Sequence, residues 1–170
     1  DQLHLEELIF VPTAIPPHKD VTATPAEHRL EMVRAGISGD SRFRVDDLEV
    51  RRGGRSYTID TLTELKGRFP DAELFFLLGV DQFRDFARWK DPEGILRLAT
   101  LAVMAREGET PDPDAPYHAV SIAVSRIDIS STILRARVSR GDSIRYFVPD
   151  AVIEIIAREG LYRPAKPRNA

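Results

Sequence analysis

The stretch Glu73-Leu74-Phe75-Phe76-Leu77-Leu78-Gly79 decides the fold that this sequence predicts. Apolar side chains on both faces of a strand are typical of a parallel strand that helices cover from both sides. A glycine ends the run, and Val80-Asp81-Gln82 follows it. We therefore expect a central parallel strand, with Asp81 just beyond its carboxyl end, where the carboxylate can contact a nucleotide or cap the next helix.

Strands and helices alternate on both sides of this stretch. Further strands are predicted at 8–11, 43–50, 101–106 and 118–124, and helices at 24–36, 56–69, 83–99, from 130 onward and at 149–160. Thr24 is the predicted N-cap of the first helix. This order predicts an α/β fold: a Rossmann-like, doubly wound, mostly parallel sheet with helices on both faces and a small C-terminal helical part.

Composition limits the classes of function. The 170 residues fit one domain, and the formal net charge of −3 offers no basic surface for nucleic acid. No apolar run is long enough to span a membrane, so no membrane partner is expected. The absence of cysteine excludes disulfides and thiolate metal sites and is typical of a reducing cytoplasm, where we expect this protein.

Loops that follow strands carry the residues with phosphate chemistry. His18 and Lys19 end a proline loop after the first strand, and Ser130, Ser131 and Thr132 precede a helix that carries Arg135. The carboxyl ends of parallel strands form a ligand-binding edge, and a helix N-terminus attracts phosphate. The other interpretations are a solvated loop and a capped helix with a surface arginine. Together with Asp81, the loops favour a phosphate-bearing nucleotide.

The only tryptophan lies in the stretch Phe86-Ala87-Arg88-Trp89-Lys90, which is too polar to be fully buried. A partly exposed indole can stack on a flat aromatic ligand, although a lone tryptophan is more often part of a core. Residues 51–55 form a basic, glycine-rich stretch that we interpret as a turn.

Several motifs occur in a fixed order along the chain. They are Pro16-Pro17-His18-Lys19, Arg55-Ser56-Tyr57-Thr58, Leu78-Gly79-Val80-Asp81, Trp89, Ile129-Ser130-Ser131-Thr132-Ile133-Leu134-Arg135, Val148-Pro149 and Gly160-Leu161-Tyr162. With these motifs the chain resembles the bacterial nicotinate-nucleotide adenylyltransferases (deamido-NAD pyrophosphorylases) of the HIGH-type nucleotidylyltransferase superfamily. The resemblance covers nearly all of the chain.

The resemblance implies a reaction of NAD biosynthesis. The phosphate of nicotinate mononucleotide attacks the α-phosphorus of ATP with Mg²⁺ as cofactor, and deamido-NAD and pyrophosphate form. It implies His18 and Lys19 as catalytic phosphate contacts, Ser130, Ser131, Thr132, Arg135 and Asp81 as the ATP site, and Tyr57, Thr58, Trp89 and Lys90 as the acceptor site. No residue is assigned to a metal. The partners are these small molecules, and homo-oligomerisation stays open.

One departure from the family pattern is large. The family opens with a Gly-Gly-Thr-Phe-Asp-Pro loop and a His-x-Gly-His helix start, and neither motif is present here. We therefore expect residues 1–170 to be a single nucleotidylyltransferase domain without its N-terminal strand and phosphate-binding loop, taken from a longer polypeptide. Two other functions stay open: a sibling adenylyltransferase for nicotinamide mononucleotide or pantetheine phosphate, and a nucleotide-binding module without turnover.

Overall fold

The computed structural model describes residues 1–17, 24–106, 116–125 and 127–164. The strands are β1 Leu8–Phe10, β2 Phe43–Val45, β3 Phe75–Gly79, β4 Thr100–Arg106 and β5 Val120–Val124. The α-helices are α1 Ala26–Ile37, α2 Leu48–Arg52, α3 Thr58–Arg68, α4 Val80–Arg84, α5 Pro92–Leu98, α6 Ser131–Arg140 and α7 Asp150–Arg158, with a 3₁₀ turn at Phe86–Arg88. Every strand pairing in the described residues is parallel, which confirms the predicted α/β class.

Contacts between Cα atoms divide the chain into two compact units. The first unit comprises residues 1, 3–54 and 128–170, and the second comprises residues 2 and 55–127. Each unit has its own parallel sheet and its own apolar cluster. No helix in the described ranges has both the length and the apolar character that a membrane crossing needs.

The first unit is built on one parallel pair and its crossover helix. Strand β1 pairs with β2, in a register that places Leu8 opposite Phe43, and α1 connects the two strands. Helix α7 packs on α1. Its buried side chains Val152 and Ile156 form an apolar cluster with Ile144, and Met32 and Ala35 of α1 pack against this cluster.

The guanidinium of Arg29 binds both ends of the connection between β1 and α1. It donates to the carbonyl oxygens of Thr13 at 2.5 Å, Ala14 at 2.9 Å and Thr24 at 3.3 Å. Thr24 is therefore held through its carbonyl group, and the prediction that it caps α1 is wrong. Pro25 occupies the N-cap position with an extended ψ of 147°, and helical backbone begins only at Ala26.

The predicted strand at 43–50 ends earlier than expected. Strand β2 stops at Val45, and Leu48 begins the short helix α2, which includes two residues of the predicted turn at 51–55. The carboxylate of Asp46 accepts a hydrogen bond from the Leu48 backbone at 3.0 Å, a turn that competes with strand pairing. Leu48 is almost fully buried, so its apolar side chain anchors a helix rather than a strand.

The second unit holds a three-stranded sheet in the order β3-β4-β5. The predicted strand at 73–79 forms, but in this sheet β4 rather than β3 is the middle strand. Leu101, Ala102 and Val103 of β4 are fully inaccessible to solvent. In the described structure, β4 is therefore the strand whose central residues are covered on both faces.

The predicted helix at 83–99 is interrupted near its middle. Asp91 adopts a left-handed conformation, and its carboxylate accepts a hydrogen bond from the Gly94 backbone at 2.9 Å, which starts α5. Pro92 stands at the first helical position, as helix starts favour. The Asp-Pro pair was the signal for this break, and the break places Trp89 in a connecting turn.

We predict that Leu101→Ala lowers the free energy of unfolding by about 2–5 kcal/mol, because it leaves a cavity at a fully buried position of β4. Arg97→Ala, at a largely exposed position of α5, is the matched control and should cost about 0.5 kcal/mol or less. Urea unfolding followed by circular dichroism measures both variants. Equal losses would contradict the assignment of β4 to the core.

Candidate active site

The serine-rich stretch forms the capped start of α6 in the first unit. Ser130 has an extended backbone, and its hydroxyl oxygen accepts a hydrogen bond from the Ile133 backbone at 3.2 Å. This confirms the predicted cap and assigns it to Ser130. The first turn of α6 contains no acidic side chain, so the positive end of the helix dipole is not offset locally.

Thr132 and Arg135 lie on one side of the same helix. Arg135 donates from Nη2 to the Thr132 hydroxyl at 3.3 Å, and both side chains are exposed. A small cavity of about 120 Å³ adjoins Arg135 and is lined by Ser131 and by apolar side chains of α6 and of the segments that follow it. The cap, the hydroxyls and the guanidinium form a solvent-facing group that can contact phosphate oxygens.

Two of the predicted acceptor residues, Tyr57 and Lys90, meet in the second unit. Helix α3 starts at Thr58, with Tyr57 at the N-cap position and no side-chain cap there. The ammonium of Lys90 lies 3.0 Å from each carboxylate oxygen of Asp60, in the first turn of α3, and 4.5 Å from the centre of the Tyr57 ring. Residues from two separate segments therefore meet at this helix start.

Trp89 directly precedes Lys90 and is half-buried. Its ring packs at 5.5 Å between centroids from Phe86 and at 5.8 Å from Phe76, the latter edge to face. Its backbone N–H donates to the Phe86 carbonyl at 3.0 Å. The indole packs against the core yet stays partly open to solvent, and its role as a platform for a ligand stays a prediction.

Asp81 lies in the first turn of α4, next to strand β3. Gly79 occupies the N-cap position, so Asp81 does not cap the helix. Its carboxylate is largely exposed and forms an ion pair with Arg84 at 3.1 Å. The role of Asp81 as a nucleotide contact stays a prediction.

Two predicted residues and one missed residue complete the inventory. His18 and Lys19 fall outside the described residues. Asp60 was not singled out from the sequence, although an acidic residue in the first turn of a helix is a common favourable placement. Its pairing with a lysine 30 positions further along the chain left no local signal.

A divalent metal would need carboxylate or histidine ligands of suitable geometry. Within the described residues, His28, Glu31 and Glu159 form one group whose ligand atoms lie within 4.8 Å of one another. Arg158 already donates to Glu31 at 2.6 Å and to Glu159 at 2.7 Å, and the hydrogen bond from Arg158 lowers the pKa of Glu159. This group is an ion-pair network, and it does not fit a metal site.

Comparison with known proteins identifies the family. The family model described as cytidylyltransferase-like matches residues 1–137. A Thermus thermophilus protein named "Probable nicotinate-nucleotide adenylyltransferase" is 46% identical, over 95% of this chain and 86% of the relative. A Rubrobacter xylanophilus protein of the same name is 38% identical, over 96% and 81%. This chain belongs to the nicotinate-nucleotide adenylyltransferase family.

Solved structures agree with this family in fold. The nicotinic acid mononucleotide adenylyltransferase of Plasmodium falciparum complexed with NaAD superimposes with a TM-score of 0.71 at 20% identity, over 93% of this chain and 83% of that one. The same Plasmodium enzyme complexed with APC gives a TM-score of 0.68 at 18% identity. At such low identity the likeness establishes the Rossmann-like architecture alone.

The two groups of candidate residues of this nicotinate-nucleotide adenylyltransferase family member lie in different units. The serine-rich helix start belongs to the first unit, and Tyr57, Thr58, Trp89 and Lys90 belong to the second. The prediction that residues 1–170 form a single domain without its N-terminal strand and phosphate-binding loop stays a prediction.

We predict that Ser130→Ala lowers the protection of α6 amides against hydrogen exchange by about 1 kcal/mol, because the Ile133 N–H loses its cap. Ser131→Ala is the matched control, since the capping hydroxyl is that of Ser130. Native-state hydrogen exchange measures the two variants. Equal protection of the α6 amides in the two variants would contradict the assignment of the cap to Ser130.

Proposed function

We propose that this protein transfers the adenylyl group of ATP to nicotinate mononucleotide, forming deamido-NAD and releasing pyrophosphate. The observation that carries the proposal is the 46% identity to a relative of that name over nearly the whole of both chains. The half-buried indole of Trp89 beside the start of α3 supports the choice of a pyridine nucleotide as acceptor.

The reaction needs alignment and charge neutralisation more than covalent help from the protein. A phosphate oxygen of the acceptor attacks the α-phosphorus, the bond to the bridging oxygen breaks, and the electron pair leaves with pyrophosphate. The start of α6 and Arg135 hold the ATP phosphates, because backbone N–H groups and a guanidinium oppose negative charge. His18 and Lys19 supply further contacts to phosphate near the transferred group.

The cation that accompanies ATP is Mg²⁺, which binds chiefly through substrate phosphates in sites of this kind. Its positive charge offsets the negative charge of the triphosphate. We assign no residue of the protein as a ligand of this cation, because Glu31 and Glu159 beside His28 are already hydrogen-bonded to Arg158. The absence of cysteine leaves a cytoplasmic location as our expectation.

The acceptor site uses the second unit. Trp89 stacks on the pyridine ring, and the backbone at Tyr57, Thr58 and Lys90 receives the nicotinate carboxylate. A helix N-terminus favours an anion, so this arrangement selects the acid over the neutral amide. Nicotinamide mononucleotide and pantetheine phosphate are the competing acceptors, and binding without turnover is the competing class.

Pyrophosphate release from Mg·ATP tests this function, with nicotinate mononucleotide, nicotinamide mononucleotide and pantetheine phosphate assayed in parallel. We expect turnover with the nicotinate compound at a kcat/KM at least about tenfold above the others, which corresponds to about 1.4 kcal/mol. Nucleotide binding without release for any acceptor would favour the module without turnover. Preference for another acceptor would favour a sibling enzyme.

We predict that substitutions in the two groups of residues each raise the KM of a different substrate. Trp89→Phe and Trp89→Ala should raise the KM of the acceptor by about fivefold and tenfold or more, because base stacking contributes about 1–3 kcal/mol, while the KM of ATP changes little. Arg135→Ala should raise the KM of ATP by about tenfold and leave the acceptor KM nearly unchanged. Steady-state pyrophosphate assays measure both constants.

Parallel losses for both substrates in each variant would contradict this division of roles. Thermal unfolding of the variants controls for damage to the fold, because Trp89 also packs on the apolar cluster of the second unit.

A further inference from the structure

We propose that Asp60 is a positioning residue that sets the affinity for the acceptor by holding the Trp89–Lys90 segment at the start of α3. This inference rests on the proposed function, since it concerns the site assigned to nicotinate mononucleotide. The carboxylate accepts from the Lys90 ammonium with both oxygens at 3.0 Å. Asp60 does not itself contact the acceptor.

The pair connects segments that are far apart in sequence. Asp60 is in the first turn of α3, two residues after Thr58, whereas Lys90 follows Trp89 directly. Trp89 is held separately by the packing of its ring on Phe86. The ion pair is the contact that ties this segment to the start of α3.

The ion pair also determines whether the charge of the Lys90 side chain is available to a ligand. Its ammonium lies between the Asp60 carboxylate and the ring face of Tyr57, 4.5 Å from the ring centre. A cation in this arrangement is already stabilised by an opposite charge and by a π-system. Lys90 therefore contributes to the acceptor site through its backbone, and its charge is balanced within the protein.

Positioning matters here because two features must fit one rigid ligand. A pyridine ring stacked on Trp89 carries its carboxylate at a fixed distance and direction from the ring. The backbone N–H groups at Thr58 receive that carboxylate only if the helix start and the indole keep their spacing. A small displacement of either feature weakens binding although both remain present.

Two variants that remove charges of opposite sign distinguish a positioning role of the ion pair from a direct electrostatic effect on the acceptor. Asp60→Asn removes a negative charge, and Lys90→Met removes a positive one. If either charge acted directly on the anionic acceptor, the two variants would change its affinity in opposite directions. Positioning predicts that both raise the acceptor KM, by about three- to fivefold for an ion pair whose side chains are 40% and 49% exposed.

The experiment measures steady-state pyrophosphate release by the full chain with nicotinate mononucleotide and Mg·ATP. We expect Asp60→Asn, Lys90→Met and the double variant to raise the acceptor KM to a similar extent, because the second substitution removes nothing further. The kcat and the KM of ATP should stay within about twofold of the parent values. Asp60→Glu keeps a carboxylate within reach and should recover at least half of the lost affinity.

Several results would overturn the proposal. Opposite shifts in the two single variants would assign the charges to direct contact with the acceptor, and additive losses would show that the residues act separately. An unchanged acceptor KM in Asp60→Asn would reject the positioning role while leaving the function intact. Absence of nicotinate-dependent release by the parent protein would reject the proposed function, and this proposal with it.

Discussion

The packing of Phe86 is the contact on which the proposed acceptor site depends. This side chain is fully buried and lies in the 3₁₀ turn between α4 and α5. Its ring meets Trp89 at 5.5 Å and Tyr117 at 5.1 Å between centroids, so one buried aromatic side chain supports the turn that presents the indole. Because protein cores are close-packed, the contacts with this cluster restrict the motion of the indole.

Both groups of candidate residues are built around the N-terminus of a helix, but the two helix starts differ. At α6 the helix start is capped by Ser130 and stays open to solvent, with Arg135 as a nearby cation. At α3 the start has no side-chain cap, and Asp60 in the first turn is balanced by Lys90. A highly charged triphosphate suits the first arrangement, while a flat pyridine ring that carries one carboxylate at a fixed position suits the second.

Local sequence patterns predicted the elements whose causes are local. The strand at 73–79 follows from an uninterrupted apolar run, and the helix start at Ser130 follows from hydroxyl side chains before a helical pattern. Helix α2 was missed because a carboxylate turn at Asp46 outweighed an alternating pattern. The pairing of Asp60 with Lys90 joins residues that only the tertiary structure brings together, so no pattern in the sequence could reveal it.

Family likeness and physical inference contribute different parts of the account. The motifs and the relatives establish which family this chain belongs to. The distances and burial of Trp89, Lys90 and Asp60 are the observations from which we propose that the second unit holds the nicotinate ring. That explanation depends on the indole being a binding platform and not only a core side chain.

Titration of the intrinsic fluorescence with nicotinate mononucleotide tests this central claim most directly, because Trp89 is the only tryptophan of the chain. The account predicts saturable quenching of the emission by nicotinate mononucleotide, and no comparable quenching by ribose 5-phosphate, which lacks the ring. An emission that stays unchanged up to millimolar nicotinate mononucleotide, or an equal response to both compounds, would contradict stacking of the pyridine ring on Trp89.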